Sequence, residues 1–574
     1  MKRSQARSFI PDAFSIRTER LGPLPLINHF LDRLGLEDML ERFVPTKDRR
    51  VKLSYAKRLG VLLRSILVER EPIYRQQETV STFVPEVFGI PPDLIGHVGD
   101  DAIGRALDKL FDADRGTLLT EVVVAAGKAF DLRFDELHND STTIKLCGQY
   151  AAAKGRSIRG KRAPYITYGF SKDHRPDLKQ LLFILTATSD GGVPIQFRRE
   201  DGNQNDDPTH IETWNTLCRI TGRTDFLYTA DSKLCNREAI LHIDRQQGRF
   251  VCVMPRTRRE DKIFREWIQT HTPDWTLAID RRNPRRRHGP RDRWWAFRDR
   301  LPSGEGWPVT WVYSELLARR QQQSRQDRIA RTTQYLEDYN ARLAGPRPRR
   351  RSRKEILYQV EGFLRRRKVG RYVHVRVVRA EKERFKQVGP GRPGPKTRYR
   401  RDPKTFWRLE WEIDKDRIVY DQKSDGMYPL LSNDRDLAAV QVLEAHKRQP
   451  MIEKRFEQTK TVFEIAPVFL KNEGRIEALF YLYALALLVQ ALIERELRKA
   501  MAQESIEELP LYPEERQCRR PTAEQIFRLF SLAERHSLKH KGEEVRTFHP
   551  ELTAFQKQIL ELLGVPTTAY RTAG

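Results

Sequence analysis

Apolar residues recur every three to four positions at Ile27, Phe30, Leu31, Leu34, Met39, Leu40 and Phe43, and again at Leu59, Leu62, Leu63, Ile66 and Leu67. That spacing predicts helices over most of the first 130 residues. A further helix is expected from Ala102 through Leu107, Leu110 and Phe111, with Asp100 or Asp101 as its cap. The pattern then changes to short apolar runs bounded by turn residues. Strands are expected at 134–146, 165–170, 181–188 and 193–197, with Gly191-Gly192 as a hairpin turn between the last two. A helical interval (209–221) precedes strands at 226–230 and 250–254, which makes a mixed sheet of about five strands.

Beyond residue 256 the chain is polar and basic. A long polar helix is expected at 316–343, strands at 372–378 and 406–413, and a linker or turn at GPGRPGP, residues 389–395. Helices return after Asp425-Gly426, at about 436–447, from Pro450 onward, and in the apolar stretch 478–497. A polar, basic tail expected to be helical closes the chain. The expected domains are 1–130, a helical module for DNA binding or dimerisation; 131–255, the first part of a core; 256–425, a basic insertion; 426–500, the rest of the core; and 501–574, the tail.

Composition narrows the partner. The 574 residues carry 105 Lys and Arg against 78 Asp and Glu, a net charge of +27, which points to a polyanion and above all to nucleic acid. The longest uncharged apolar run, Ala478 to Ile493, has sixteen residues. A membrane span needs about 20, so no membrane partner is expected. No apolar stretch follows the basic start MKRSQARSFIPD, and the five cysteines form no CxxC pair. A reducing cytoplasm is the expected location.

Three acids stand out by placement. Asp140 lies in the first strand (LHNDSTTIKL), Asp231 directly after the fourth (FLYTADSKL), and Glu453 on a helix (QPMIEKRFEQTK). Carboxylates ending neighbouring strands, with a third on an adjacent helix, can converge on one site whose oxygen ligands suit Mg²⁺ or Mn²⁺. Glu453 and Lys460 are seven residues apart, so on an α-helix they project within about 20° of each other. A solvated charge pair on an amphipathic helix would have the same spacing.

At these residues the chain resembles a DDE-type insertion-sequence transposase with an RNase H-like core, in the branch whose third motif reads Tyr-x2-Arg-x3-Glu-x6-Lys. The resemblance runs through LGPLPLINHFLDRLGLEDMLERFVP, HNDSTTIKLCGQY, YGFSKDHRPDLKQLLFILTATSDGGVPI, GNQND, TADSKLC, SDGMYPLLSND and IEKRFEQTKTVFEIAPVFLKNEGRIEALFYLYALALLVQALIERELR. It implies an α/β fold: an RNase H-like mixed sheet interrupted by a β-rich and helical insertion domain, with helical modules at both ends. It implies Asp140, Asp231 and Glu453 as the metal triad and Lys460 as a phosphate contact. The Tyr and Arg positions of the motif hold His446 and Gln449, which makes Arg448 and Arg455 the candidates for the missing phosphate contact.

The chemistry implied is strand cleavage and joining at element ends. Two metal ions would activate the attacking hydroxyl and stabilise the leaving oxygen. Water attacks first, then the freed 3′-hydroxyl. The expected partners are double-stranded DNA and a second copy of the chain in a dimer pairing two ends. Trp294 and Trp295, among Arg291, Arg293 and Arg298, have the composition that stacks unpaired bases, although buried tryptophans of a β-domain would look the same. The runs containing Arg285, Arg286 and Arg287, and Arg350 and Arg351, are expected along DNA phosphates. A related metal-dependent nuclease that does not transpose, and an inactive DNA-binding regulator, stay open as alternatives.

Overall fold

The computed structural model describes residues 14–571 other than 147, 152, 171, 173, 174, 205–208, 283–288, 346–350, 464–469 and 542. The fold is mixed α/β. The chain divides into two compact units: residues 1–252 with 444–574, and residues 253–443. The inserted unit thus ends at Leu443 rather than at 425.

The first unit is built on five strands: β1 (Glu136–Leu146), β2 (Lys179–Thr188), β3 (Pro194–Glu200), β4 (Leu227–Ala230) and β5 (Arg249–Val253), arranged β3-β2-β1-β4-β5. β1, β2 and β3 run antiparallel, and β1, β4 and β5 parallel. The antiparallel pair β2–β3 is closed by the Gly191-Gly192 turn, both glycines at positive φ (84° and 68°). The parallel strands need crossovers, supplied by helices Thr209–Thr221 and Arg237–Arg245. Leu181 to Ala187 and Leu227 to Ala230 are buried almost throughout, which is why they read as continuous apolar runs.

Residues 165–170 do not form the expected strand. Tyr165 and Thr167 make isolated bridges to Lys154 and Gln180, and the segment runs as a loop along β2.

Helix Glu473–Gln503 is the centre of this unit. It is long and apolar enough to cross a membrane by length and composition, yet nearly all of its apolar window is buried within the protein. The N-terminal helices, including Leu24–Leu34, Tyr55–Val68 and Asp100–Asp112, pack on it instead of forming a separate module. Ion pairs Arg475–Asp108 (2.7 Å) and Arg115–Glu477 (2.6 Å) tie the two ends of the chain together. Gly99 takes the cap position of Asp100–Asp112, leaving Asp100 and Asp101 in its first turn.

The tail is not wholly helical. Glu534–His540 and Glu543–Phe548 form a hairpin that pairs with the N-terminal strand Ser15–Arg20, and Arg535 bonds Glu19 at 3.0 Å. A strand whose partner lies some five hundred residues away has no local signal.

The second unit contains an antiparallel run of strands in the order Met427–Ser432, Val309–Ser314, Asp292–Arg298 and Thr276–Arg281. Helices Glu315–Leu343 and Arg353–Arg367 pack with hairpin Val373–Lys382/Lys404–Ile413 around Leu336, Tyr339, Ile356, Val360 and Leu409. GPGRPGP is the tip of a smaller hairpin, Phe385–Gln387 with Tyr399–Arg401, rather than a linker.

Candidate active site

Asp140 and Asp231 both follow the paired stretch of two parallel strands. β1 and β4 pair in parallel as Glu136↔Leu227, Leu137↔Tyr228 and His138↔Thr229, and Asp140 and Asp231 each follow two residues after the last of these pairs. Asp231 lies just past β4, where its Oδ1 accepts the Lys233 N–H at 2.9 Å and shapes the turn into helix Arg237–Arg245. Asp140 Oδ1 accepts the Ser141 N–H at 2.7 Å.

Burial pushes the Asp140 carboxyl up to about 6, and the charges of Asp231 and Glu453 add to that rise. Lys172 and the Ser141 amide oppose it. The Lys172 ammonium donates to the Ser141 carbonyl (2.8 Å) and hydroxyl (2.5 Å), so a cation stands beside the aspartate. Lys172 was legible in the segment SKDHRPDLKQ only as one charge among several. His174 of that segment lies outside the described residues, and Arg175 pairs with Asp177 at 2.7 Å.

Glu453 occupies the first turn of helix Pro450–Glu457, where the helix dipole favours a carboxylate. The start of that helix is pinned to β1. Gln449 donates to the Asn139 carbonyl at 2.8 Å, and its Oε1 lies 3.2 Å from His138 Nδ1. His138 Nε2 lies 2.7 Å from Glu136, which also takes two 2.7 Å bonds from Arg448. The residue replacing the motif arginine is therefore a buried link between helix and strand. His446, in the motif tyrosine position, has its pKa lowered by burial to about 4, with Lys447 and His138 adding to the drop, and is neutral near pH 7.

Arg455 is turned into the protein rather than toward solvent. Its side chain is 3% exposed, and its guanidinium donates to the Gly191 and Gly192 carbonyls, Gln458 and Glu494, each at 2.7–2.8 Å. The Glu helix is thereby docked on the β2–β3 turn. A Cβ on Gly192 would stand 2.6 Å from Met451, and one on Gly191 would stand 2.7 Å from Arg495. Arg448 is engaged with Glu136.

Lys460 falls in a π-helical turn, Gln458–Val462, that succeeds the α-helix. A π turn holds more residues than an α turn, so the expected alignment of Glu453 with Lys460 within 20° does not carry over.

Among the described residues no group of three or more His, Cys, Asp or Glu side chains is arranged to hold a metal ion. The three expected acids share one neighbourhood electrostatically without closing on a common point. Their chemistry still fits a hard divalent cation. All three are carboxylates, and the Asp140 carboxyl is raised by burial and by the other two.

In the second unit Trp294 is buried (8% exposed) with Arg281 over its ring at 5.1 Å, which removes it as a base-stacking surface. Trp295 is half-buried and lines a cavity of about 390 Å³ with Trp275 and Tyr313. Arg285, Arg286, Arg287 and Arg350 lie outside the described residues. Arg351 donates to Tyr339 and Gln359, both at 2.7 Å, and so links helices Glu315–Leu343 and Arg353–Arg367.

The Glu136 network carries a prediction. Burial pushes the Glu136 carboxyl up, but the bonds from His138 and Arg448 outweigh it and hold it at about 2, against an ordinary 4.5. A depressed carboxyl stabilises the fold above about pH 4.5 and loses that contribution as pH falls toward 2. Glu136→Gln should therefore destabilise the protein at pH 7, and the gap in urea midpoint from wild type should shrink below pH 4.5. A gap constant with pH would contradict the assignment.

A protein-family model described as "Domain of unknown function (DUF4277)" matches residues 16–124. No curated protein matches the chain. Among solved structures, the chain is similar to one described as a cryo-EM structure of a piggyBac transposase synaptic complex with hairpin DNA. The identity is 9%, the TM-score is 0.34, and the match covers 97% of this chain and 84% of that one.

Proposed function

We propose that the chain is a DNA transposase of the DDE type that cleaves and joins the ends of its own insertion sequence. The observation that carries the reading is the parallel pairing of β1 with β4, which Asp140 and Asp231 each follow by two residues, with the Glu453 helix fastened to the same strand through Gln449. The five-stranded mixed sheet with a helix entering before its fourth strand supports an RNase H-like core.

Asp140, Asp231 and Glu453 would hold Mg²⁺ or Mn²⁺, two ions being expected. Bound there, the cations supply activation of the attacking hydroxyl and stabilisation of the leaving oxygen in an in-line displacement at phosphorus. The chain's own residues hold the DNA around that chemistry. Lys460 neutralises phosphate charge. Lys172 keeps positive charge at the Asp140 end of the site. Trp295, on the wall of its aromatic cavity, would stack an unpaired base. The net charge of +27 favours the DNA backbone as partner. Water is the nucleophile for nicking and the released 3′-hydroxyl for joining, both being hydroxyl attacks at phosphorus. Since two ends must be held for joining, a dimer on DNA is part of the reading.

The test is cleavage of end-labelled duplexes carrying the DNA that flanks the gene. The expected result is a discrete nick at the element boundary with Mg²⁺ or Mn²⁺, and none when the ions are chelated. Cleavage that ignores the boundary would replace transposition with simple nuclease action, and binding without any cleavage would leave a regulator.

A further inference from the structure

The second unit holds a cavity of about 650 Å³ whose wall carries eight arginine and lysine side chains against four aspartates and glutamates. Its volume is that of a small-molecule site, typically about 300–1,000 Å³. The four acids are already engaged. Arg265 holds Asp261 through two bonds (2.7 and 3.1 Å), Arg325 holds Asp425, Arg371 holds Asp421 at 2.8 Å, and Lys262 lies 3.8 Å from Glu266. The remaining guanidiniums, of Arg256, Arg320, Arg328 and Arg417, form no ion pair among the described residues. Desolvation, and then the charge of Arg265, keep Arg256 below the ordinary guanidinium pKa.

The decisive donor is on Arg325. This residue is 4% exposed, and its Nη2 is bound to Asp425, yet its buried Nη1 has no hydrogen-bond partner. The arrangement is fixed from both sides. Arg325 lies on the long helix Glu315–Leu343, and Asp425 is set by the turn at Gly426, whose φ is +78°. A Cβ there would stand 2.5 Å from the Ser314 carbonyl oxygen.

We propose that this cavity is an oxyanion site that takes clustered phosphate groups. Guanidiniums bind phosphate through paired N–H donors, and an excess of them around one unmatched buried donor suits several phosphates in a row. The site is made of other residues than Asp140, Asp231 and Glu453 and does not depend on the cleavage reading. The phosphates come either from a free polyphosphate or from a nucleic-acid backbone.

Calorimetric titration of the full-length protein with inorganic triphosphate, in metal-free buffer, tests it. Saturable binding of one triphosphate per chain is expected. The triple variant Arg256→Gln, Arg328→Gln, Arg417→Gln should weaken it about tenfold or more, while Arg325 and Asp425 stay paired. Arg392→Gln, Arg398→Gln, Arg400→Gln removes the same charge from an exposed hairpin and should leave affinity unchanged. If triphosphate gives no saturable heat but the cavity triple alone lowers affinity for a short duplex tenfold, the phosphates belong to DNA and the proposal holds. If the two triples behave alike toward both probes, the proposal fails.

Discussion

Replacement of Asp140 by asparagine is expected to cut strand cleavage about a thousandfold or more, several kcal/mol of lost transition-state stabilisation, without weakening the fold. The two effects come from one cause. In the free protein Asp140 is a mostly buried carboxylate with Asp231 and Glu453 nearby, and its charge is opposed by its surroundings. Asparagine keeps the shape and removes the charge, so thermal stability near pH 7 should stay level or rise. In the reaction that same charge would be what fixes a divalent cation. Cleavage assays and melting curves on one preparation check both, with duplex affinity as the control for intact DNA binding. A variant that loses stability and activity together would make Asp140 a structural carboxylate.

The second large effect is structural. Arg455→Ala should destabilise the protein by about 3–5 kcal/mol, the usual cost of leaving one member of a buried ion pair alone. Glu494 is 1% exposed at its side chain. After the change it would keep only Gln458 (2.8 Å), the Ala523 N–H (3.0 Å) and the more distant Arg498 (3.3 Å). The wild-type balance is already tense: burial pushes the Glu494 carboxyl up, and Arg455 and Arg498 hold it below the ordinary value. Changing both residues to methionine should restore much of the stability, because no charge is then stranded. Urea unfolding of the single and double variants measures this. A single variant within about 0.5 kcal/mol of wild type, the range of an ordinary surface change, would show that Arg455 is not the anchor.

The core sheet was legible because its strands are apolar on both faces and are punctuated by turn residues. The expected strands 181–188 and 193–197, with the two glycines between them, overlap the observed Lys179–Thr188 and Pro194–Glu200, the second running three residues further. Asp140 and Asp231 could be picked for the same reason, each having a strand to place it. Arg455 could not be read correctly. Its helix is rich in charge, and its burial depends on Glu494, 39 residues downstream, and on Gly191 and Gly192, more than 260 upstream. Lys460 was misjudged in phase because nothing local announces a π turn. The basic cavity was invisible in the charge runs. Its guanidiniums are scattered singly from Arg256 to Arg417, and only the fold gathers them.

The two glycine carbonyls that receive Arg455 make the β2–β3 turn a ruler for the Glu453 helix. Most hairpin loops can lengthen or shorten as lineages diverge. This one cannot drift by a residue without carrying a carboxylate out of position on a segment hundreds of residues away, whereas the exposed tip at GPGRPGP is free to vary.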